Sequence, residues 1–182
     1  MPIYIAMLRG INVGGHKLVK MEKLRAACQG LGFEGVKTYI QSGNIVFRAA
    51  KMSDAALAKK LGDSIVRDFG FSADVITRTA QEMGHVIDNN PLLKQKAVEE
   101  AKFHVVFLSE RPAPASLARL QELTLPPDRV RDLGREIYFY FPNGVSGSSL
   151  WKHPLDKILT ITGTMRNWNT VNKLYEMARE LE

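Results

Sequence analysis

The feature that most constrains the fold is a succession of predicted elements that occurs twice along the chain. Residues Ile3–Leu8 and Phe103–Leu108 are nearly continuous apolar runs, typical of central strands covered on both faces. Each run precedes a helix with one apolar stripe and then a hairpin. Strand-helix-strand-strand-helix-strand is the ferredoxin-like unit, an antiparallel sheet with helices packed on one face. The sequence therefore predicts an α+β protein made of two tandem ferredoxin-like lobes.

The connector near residue 95 divides the predicted lobes. The first lobe spans residues 1–95, and the second spans residues 96–182 and includes extended C-terminal helices. The last strand of the second lobe is either lost or lies in residues 159–162, because residues 146–182 have a mostly helical pattern. The sequence leaves open whether the lobes share one sheet or pack face to face.

Composition narrows the class of protein. The chain is 45% hydrophobic, as in ordinary globular proteins, and no apolar run reaches the roughly 20 residues of a membrane span. Its single cysteine, Cys28, cannot form an internal disulfide, and no secretory signal begins the chain. We therefore expect a cytoplasmic protein with no membrane partner.

The charge balance favours an anionic partner only weakly. Residues 1–95 carry 13 Lys and Arg against 8 Asp and Glu, whereas the rest carry 12 against 11. A basic half is typical of proteins that bind nucleic acid or a phosphorylated small molecule. Lysines that simply solvate the surface explain a net charge of +6 slightly better.

The first candidate site is the loop between the first strand and the first helix. Its candidate ligand-binding residues are Arg9, Gly10, Asn12, Gly14, Gly15 and Lys17. The loop approaches the P-loop pattern G-x-x-x-x-G-K-[ST], but the lysine comes one residue late and Leu18 replaces the hydroxyl residue, so a Walker-type NTPase is not expected. Two interpretations remain. The backbone N–H groups of the loop form an anion-binding nest, or the glycines only permit a tight crossing between the strand and the helix.

Two further polar segments are candidate sites. A predicted hairpin tip carries Gln41, Ser42 and Asn44, for which an ordinary polar turn is a strong alternative. The other segment is predicted to open the last helix and carries Thr164, Arg166, Asn167 and Asn169. Its polar residues are also candidate helix caps, but the charge of Arg166 opposes the helix dipole and needs a carboxylate, a carbonyl or a bound anion. Trp168 is predicted to pack on the helix stripe.

No catalytic constellation accompanies these segments. The four histidines are scattered without metal-ligand spacing, and Cys28 lies on an apolar stripe, as an inert core thiol would. No metal and no cofactor is predicted, and the sequence does not decide whether the chain is an enzyme. Tyr138 and Tyr140 share one face of a strand, where they either form a base-stacking surface or pack between layers.

Three motifs in fixed order carry a family resemblance over essentially the whole chain. Residues 9–15 read R-G-I-N-V-G-G, residues 38–47 read T-Y-I-Q-S-G-N-I-V-F, and residues 164–174 read T-M-R-N-W-N-T-V-N-K-L. The chain resembles the bacterial domain-of-unknown-function family 1697, with Met165 where the family often has threonine. The resemblance implies a tandem pair of ferredoxin-like subdomains and no established activity.

The leading hypothesis is a protein that binds a small anionic ligand, such as a phosphorylated or nucleotide-like molecule, where residues 10–15 and residues 166–169 meet between the lobes. One alternative is a non-specific nucleic-acid-binding module that uses the basic first half. Another is a structural or partner-binding protein whose motif residues satisfy one another. The oligomeric state is left open.

Overall fold

The structure is a computed structural model, and it describes all 182 residues. It contains eight strands, six helices and three short 3₁₀ turns. The strands are β1 (Ile3–Leu8), β2 (Glu34–Tyr39), β3 (Asn44–Arg48), β4 (Val75–Thr79), β5 (Phe103–Leu108), β6 (Arg129–Leu133), β7 (Glu136–Tyr140) and β8 (Gly163–Asn167). The helices are α1 (Met21–Gly30), α2 (Asp54–Phe69), α3 (Ala80–Asp88), α4 (Pro114–Leu123), α5 (Leu155–Leu159) and α6 (Trp168–Arg179).

The strands form two four-stranded antiparallel sheets with the same internal order. The first sheet runs β2-β3-β1-β4 and the second runs β6-β7-β5-β8. In each sheet the chain passes through strand, helix, hairpin, helix and strand, which is the ferredoxin-like succession. The predicted α+β class with two antiparallel lobes is therefore confirmed.

Tertiary contacts divide the chain into two compact units. Unit 1 comprises Met1–His85 together with Lys173–Glu182, and unit 2 comprises Val86–Asn172. The C-terminal residues are fastened to unit 1, because Glu180 pairs with Lys37 at 2.8 Å and Arg48 Nη1 donates to the carbonyl oxygen of Leu181 at 3.0 Å. The division into lobes of residues 1–95 and 96–182 stays a prediction.

In unit 1 the helices cover one face of the sheet. Alternate residues of β1, among them Tyr4 and Leu8, are buried in one cluster with the stripe residues of α1 and α2. Helix α2 is defined by local signals, since Ser53 Oγ accepts a hydrogen bond from the N–H of Ala56 and Gly70 ends the helix with a φ of +79°. These are the boundaries that the sequence predicts.

The second face of each sheet is buried as well, which explains the nearly continuous apolar runs. Ile5 and Met7 on β1 are fully buried, although they point away from the helix-covered face. In unit 2, Tyr138 and Tyr140 are 1% and 4% exposed, and the Tyr138 hydroxyl donates to the carbonyl oxygen of Val86 at 2.9 Å. These tyrosines pack between layers and offer no surface for base stacking.

The last strand differs from the sequence-based expectation. It is β8, residues Gly163–Asn167, whereas residues 159–162 contain only the end of α5 and a turn. The segment expected to open the last helix is therefore a strand, and α6 begins at Trp168. Thr164 and Arg166 occupy the buried positions of β8, so the apolar alternation that identifies a half-buried strand is missing from the sequence.

Candidate functional site

The first loop folds into a miniature hairpin. The N–H of Asn12 donates to the carbonyl oxygen of Lys17, and that of His16 donates to the carbonyl oxygen of Val13, both at 3.0 Å. Gly14 and Gly15 form its turn with φ values of +59° and +77°. Two-residue hairpin turns of this kind need positive φ at both central positions, so the turn itself explains the glycine pair.

Asn12 fastens this hairpin to the rest of unit 1. Its side-chain Nδ2 donates to the carbonyl oxygens of Val19 at 3.0 Å and Gln41 at 2.7 Å, and its Oδ1 accepts from the N–H of Val19 at 2.8 Å. Its φ is +53°, a conformation that asparagine tolerates better than most residues. The first and second sequence motifs are thereby joined.

The turn of the second motif lies against the end of β1, just before the first loop. Asn44 is fully buried, and its Nδ2 donates to the carbonyl oxygen of Tyr39 at 3.1 Å and to Ser42 Oγ at 2.9 Å. Gly43 has a φ of +79° and lies against Leu8, whose N–H donates to the Gly43 carbonyl oxygen at 2.9 Å. Ser42, Gly43 and Asn44 therefore have structural roles in the turn, while the side chain of Gln41 is exposed.

Several cations surround the hairpin. Arg9 is half-buried, and Lys17 Nζ donates to the carbonyl oxygen of Ser72 at 2.9 Å. Lys20 is exposed and occupies the N-cap position of α1, where its side chain makes no capping bond. A lysine side chain has no acceptor atom, so the first-turn N–H groups of α1 receive no side-chain cap.

In the third motif, the guanidinium of Arg166 lies inside unit 2. Arg166 is 8% exposed, and its Nη1 donates to Thr164 Oγ1 at 2.7 Å and to the carbonyl oxygen of Met165 at 2.9 Å. Burial lowers the pKa of Arg166 to about 10. Because Arg166 belongs to β8, the expected conflict between its charge and a helix dipole does not arise.

The rest of the third motif begins α6. Asn167 Oδ1 accepts from the N–H of Thr170 at 2.8 Å, so among the candidate caps Thr164, Asn167 and Asn169 it is Asn167 that caps the helix. Trp168 is buried, and its ring packs edge-on against Phe103 with 6.1 Å between centroids, as expected for a core residue. Asn169 is exposed on the first turn.

A buried arginine that sequence reasoning missed occupies the matching place in unit 1. Arg78 lies on β4 opposite Ile5, as Arg166 lies on β8 opposite Val105. Arg78 is 1% exposed, and its Nη1 donates to the carbonyl oxygen of Thr77, the preceding residue, at 2.8 Å. Aligning the strand–helix junctions of the two halves would have revealed this equivalence.

A cavity of about 480 Å³ in unit 2 was also missed. Its polar lining comes from the connector before β5, the end of α4 and the start of β6. The lining side chains include Gln95, Gln121, Thr124, Asp128, Arg129 and Arg131. No local motif unites these three segments, so only the folded chain brings them together.

The structure thus brings the first two motifs together in unit 1 and places residues 164–172 of the third motif in unit 2. The meeting of residues 10–15 with residues 166–169 at one cleft stays a prediction.

No group of three or more His, Cys, Asp or Glu side chains is arranged to hold a metal ion. Burial raises the pKa of the Cys28 thiol to about 12, and no helix is long and apolar enough to span a membrane.

Comparison with known proteins gives relatives without an assigned activity. No curated protein matches the chain. Among solved structures, the conserved bacterial protein SP0830 from Streptococcus pneumoniae is similar, with a TM-score of 0.77 and 25% identity over 97% of this chain and 98% of that one. The family model described as "Protein of unknown function (DUF1697)" matches residues 1–138, a range that holds the first two motifs, which confirms the family resemblance, and the chain belongs to that family.

Proposed function

We propose that the protein binds a small anionic ligand and that the first loop, residues 9–20, forms the site together with the start of α1. The observation that carries the proposal is the exposed start of α1, which has no side-chain cap. Unpaired N–H groups and the helix dipole attract anions at such a position. A phosphate or carboxylate oxygen would accept the hydrogen bonds that a capping side chain otherwise accepts.

Hydrogen bonds tie the loop beside this helix start to the rest of unit 1. The three hydrogen bonds of the Asn12 side chain fix it to Val19 and Gln41. A loop that is already ordered loses little conformational entropy when it binds. This preorganisation distinguishes the first loop from an ordinary mobile surface turn.

The local charge favours the same ligand class. Arg9, Lys17, Lys20 and Lys23 lie in the loop and the first helical turn, against one carboxylate, Glu22, in that segment. Lys20 is exposed, and a flexible four-carbon side chain at the N-cap would bring its ammonium to a group bound at the helix start. The other cations raise the local concentration of an anion.

Lys20→Ser tests the site with opposite effects on stability and on binding. The serine hydroxyl accepts from the first turn of α1 and stabilises the free protein by about 1 kcal/mol. The same hydroxyl competes with the ligand for the helix N–H groups, and the cation is lost. We therefore expect the variant to melt higher than the parent without ligand and to gain less when pyrophosphate is added.

Pyrophosphate is the first probe, measured by thermal unfolding. At about 100 times its dissociation constant it adds roughly 2.7 kcal/mol, which corresponds to roughly 5–11 °C for a chain of this length. Ala113→Ser is the matched control, because Ala113 is the N-cap of α4 and likewise makes no side-chain cap bond. An equal pyrophosphate shift in Lys20→Ser and Ala113→Ser would refute the site.

The nucleic-acid alternative has less support. Tyr138 and Tyr140, the aromatic pair that would stack bases, are buried. The basic first half of the chain still favours some attraction to polyanions, and binding of that kind weakens steeply as salt rises. Oligonucleotide binding with a steep salt dependence, and no pyrophosphate shift, would favour this alternative.

A further inference from the structure

We infer that unit 2 contains a second binding site, separate from the first loop, that takes a hydroxylated small molecule bearing an oxyanion group. The site is the cavity between the connector before β5, the end of α4 and the start of β6. Its volume of about 480 Å³ lies within the range of small-ligand pockets. The shared chemistry is a phosphate or carboxylate on a molecule with several hydroxyl groups.

Arg129 supplies a guanidinium that is positioned before any ligand arrives. Its Nη1 donates to Gln95 Oε1 at 2.9 Å, and its guanidinium carbon lies 5.2 Å from the centre of the Tyr140 ring. The ring is itself held, since the Tyr140 hydroxyl accepts from the N–H of Glu99 at 3.2 Å. Arginine has five N–H donors in a planar fork, so donors remain for an oxyanion.

Besides Arg129, the charged residues of the cavity lining are one more arginine, Arg131, and one carboxylate, Asp128. Arg131 follows Arg129 by two residues on β6, which places both on the same face of the strand. Asp128 is buried, and its Oδ2 accepts from Ser148 Oγ at 2.6 Å. Two guanidinium groups therefore stand against one carboxylate that is already hydrogen-bonded, and the balance favours an anion.

The remaining polar groups fit hydroxyls. Gln95 and Gln121 carry amides that both donate and accept, and Thr124 Oγ1 donates to the carbonyl oxygen of Leu120 at 2.7 Å and can still accept. A simple inorganic anion would leave these groups to water, whereas a sugar phosphate or a sugar acid would satisfy them.

Hydrogen bonds hold the chain segment after α4, which carries part of the cavity lining. Ser149 Oγ donates to the carbonyl oxygen of Leu123 at 2.9 Å and accepts from the N–H of Leu125 at 3.3 Å. Together with the bond between Ser148 and Asp128, this ties the segment after α4 to the turn that precedes α5. The lining residues Thr124 and Asp128 therefore lie in a segment that is held by these hydrogen bonds.

The test is a titration of the full-length protein followed by NMR of the arginine Nε–H resonances. The probes are glucose 6-phosphate, gluconate and inorganic phosphate. We expect a saturable shift of the Arg129 resonance with at least one hydroxylated probe, and the probe that binds tells phosphate from carboxylate. Arg129→Gln should weaken that probe at least about tenfold, whereas Arg119→Gln, which removes an exposed arginine paired with Glu122 on α4, should not.

Gln95→Ala provides a second variant that leaves both charges in place. It removes both the hydrogen bond that positions the Arg129 guanidinium and an amide that would bind a ligand hydroxyl, so we expect weaker binding of the same probe with an unchanged melting temperature. Lys20→Ser should leave binding at the cavity unchanged, and Arg129→Gln should leave the pyrophosphate shift of the first loop unchanged. The two variants therefore show separately whether the first loop and the cavity each bind their probe.

Three results would overturn the inference. One is the absence of a saturable shift at Arg129 with every probe. Another is equal affinity in the parent and Arg129→Gln. The third is inorganic phosphate binding as tightly as the tighter of the two hydroxylated probes, since the hydroxyl groups would then contribute nothing.

Discussion

Gly43→Ala is the perturbation for which the structure gives the clearest expectation. A methyl group at this position would lie 2.7 Å from Ile11 Cδ1 and 2.8 Å from Leu8 Cβ. Leu8 Cβ is attached directly to the backbone of the central strand β1, so it cannot move aside as the end of a flexible side chain could. The residue would also have to adopt a φ of +79°.

The two costs can be separated because Gly15 has almost the same backbone conformation without the crowding. Its φ is +77°, and no atom lies within 4 Å of an added methyl group. Positive φ costs an alanine about 1–2 kcal/mol, and overpacking adds about 1–3 kcal/mol. Gly15→Ala should therefore lose about 1–2 kcal/mol and Gly43→Ala about 2–5 kcal/mol of unfolding free energy.

Thermal melting followed by far-UV circular dichroism measures both variants under the same conditions. At about 2–4 °C per kcal/mol, Gly15→Ala should melt roughly 2–8 °C below the parent and Gly43→Ala roughly 4–20 °C below it. Gly70→Ala provides a second uncrowded control, with a φ of +79° at the end of α2. If Gly43→Ala melts no lower than these two controls, the packing of the second motif beneath the first loop is not as described.

Two further predictions concern ionisable groups. Burial raises the pKa of Cys28 to about 12, which leaves about one thiolate in ten thousand at pH 8; we expect a disulfide reagent to label the thiol only after unfolding, and rapid labelling of the native protein would contradict this. Burial lowers the pKa of His104, so the unfolded chain takes up a proton first as pH falls and stability declines below about pH 6.5. His104→Gln should show a smaller fall in melting temperature between about pH 7.5 and 5.5, and an equal fall in both proteins would refute the assignment.

Helix α2 was predictable because its signals are local. Ser53 caps it, apolar residues recur at steps of four, and Gly70 ends it in the left-handed region. Strand β8 was not, because Arg166 and Thr164 occupy its buried positions and the strand has no apolar alternation. Polar side chains at the buried positions give the strand no hydrophobic period that a sequence pattern could show.

The candidate sites were likewise predictable only where their signals are local. The first loop was located from its glycines and charges. The hydrogen bond that holds it in place was not predicted, because Asn12 bonds to Gln41, 29 residues later. The cavity in unit 2 depends on an equally distant pair, since Gln95 and Arg129 are 34 residues apart. Pairing at such separations is decided by how the elements pack, and a single sequence does not encode it in any local pattern.

The membership of Lys173–Glu182 in unit 1 has a consequence for synthesis in the cell. After His85 leaves the ribosome, unit 1 still lacks the segment that pairs with Lys37 and Arg48. About 90 residues intervene, so the wait is roughly 4–18 seconds at roughly 5–20 residues per second. Because Lys173 directly follows the last residue of unit 2, the half of the chain that is made first is the half that receives its final segment last.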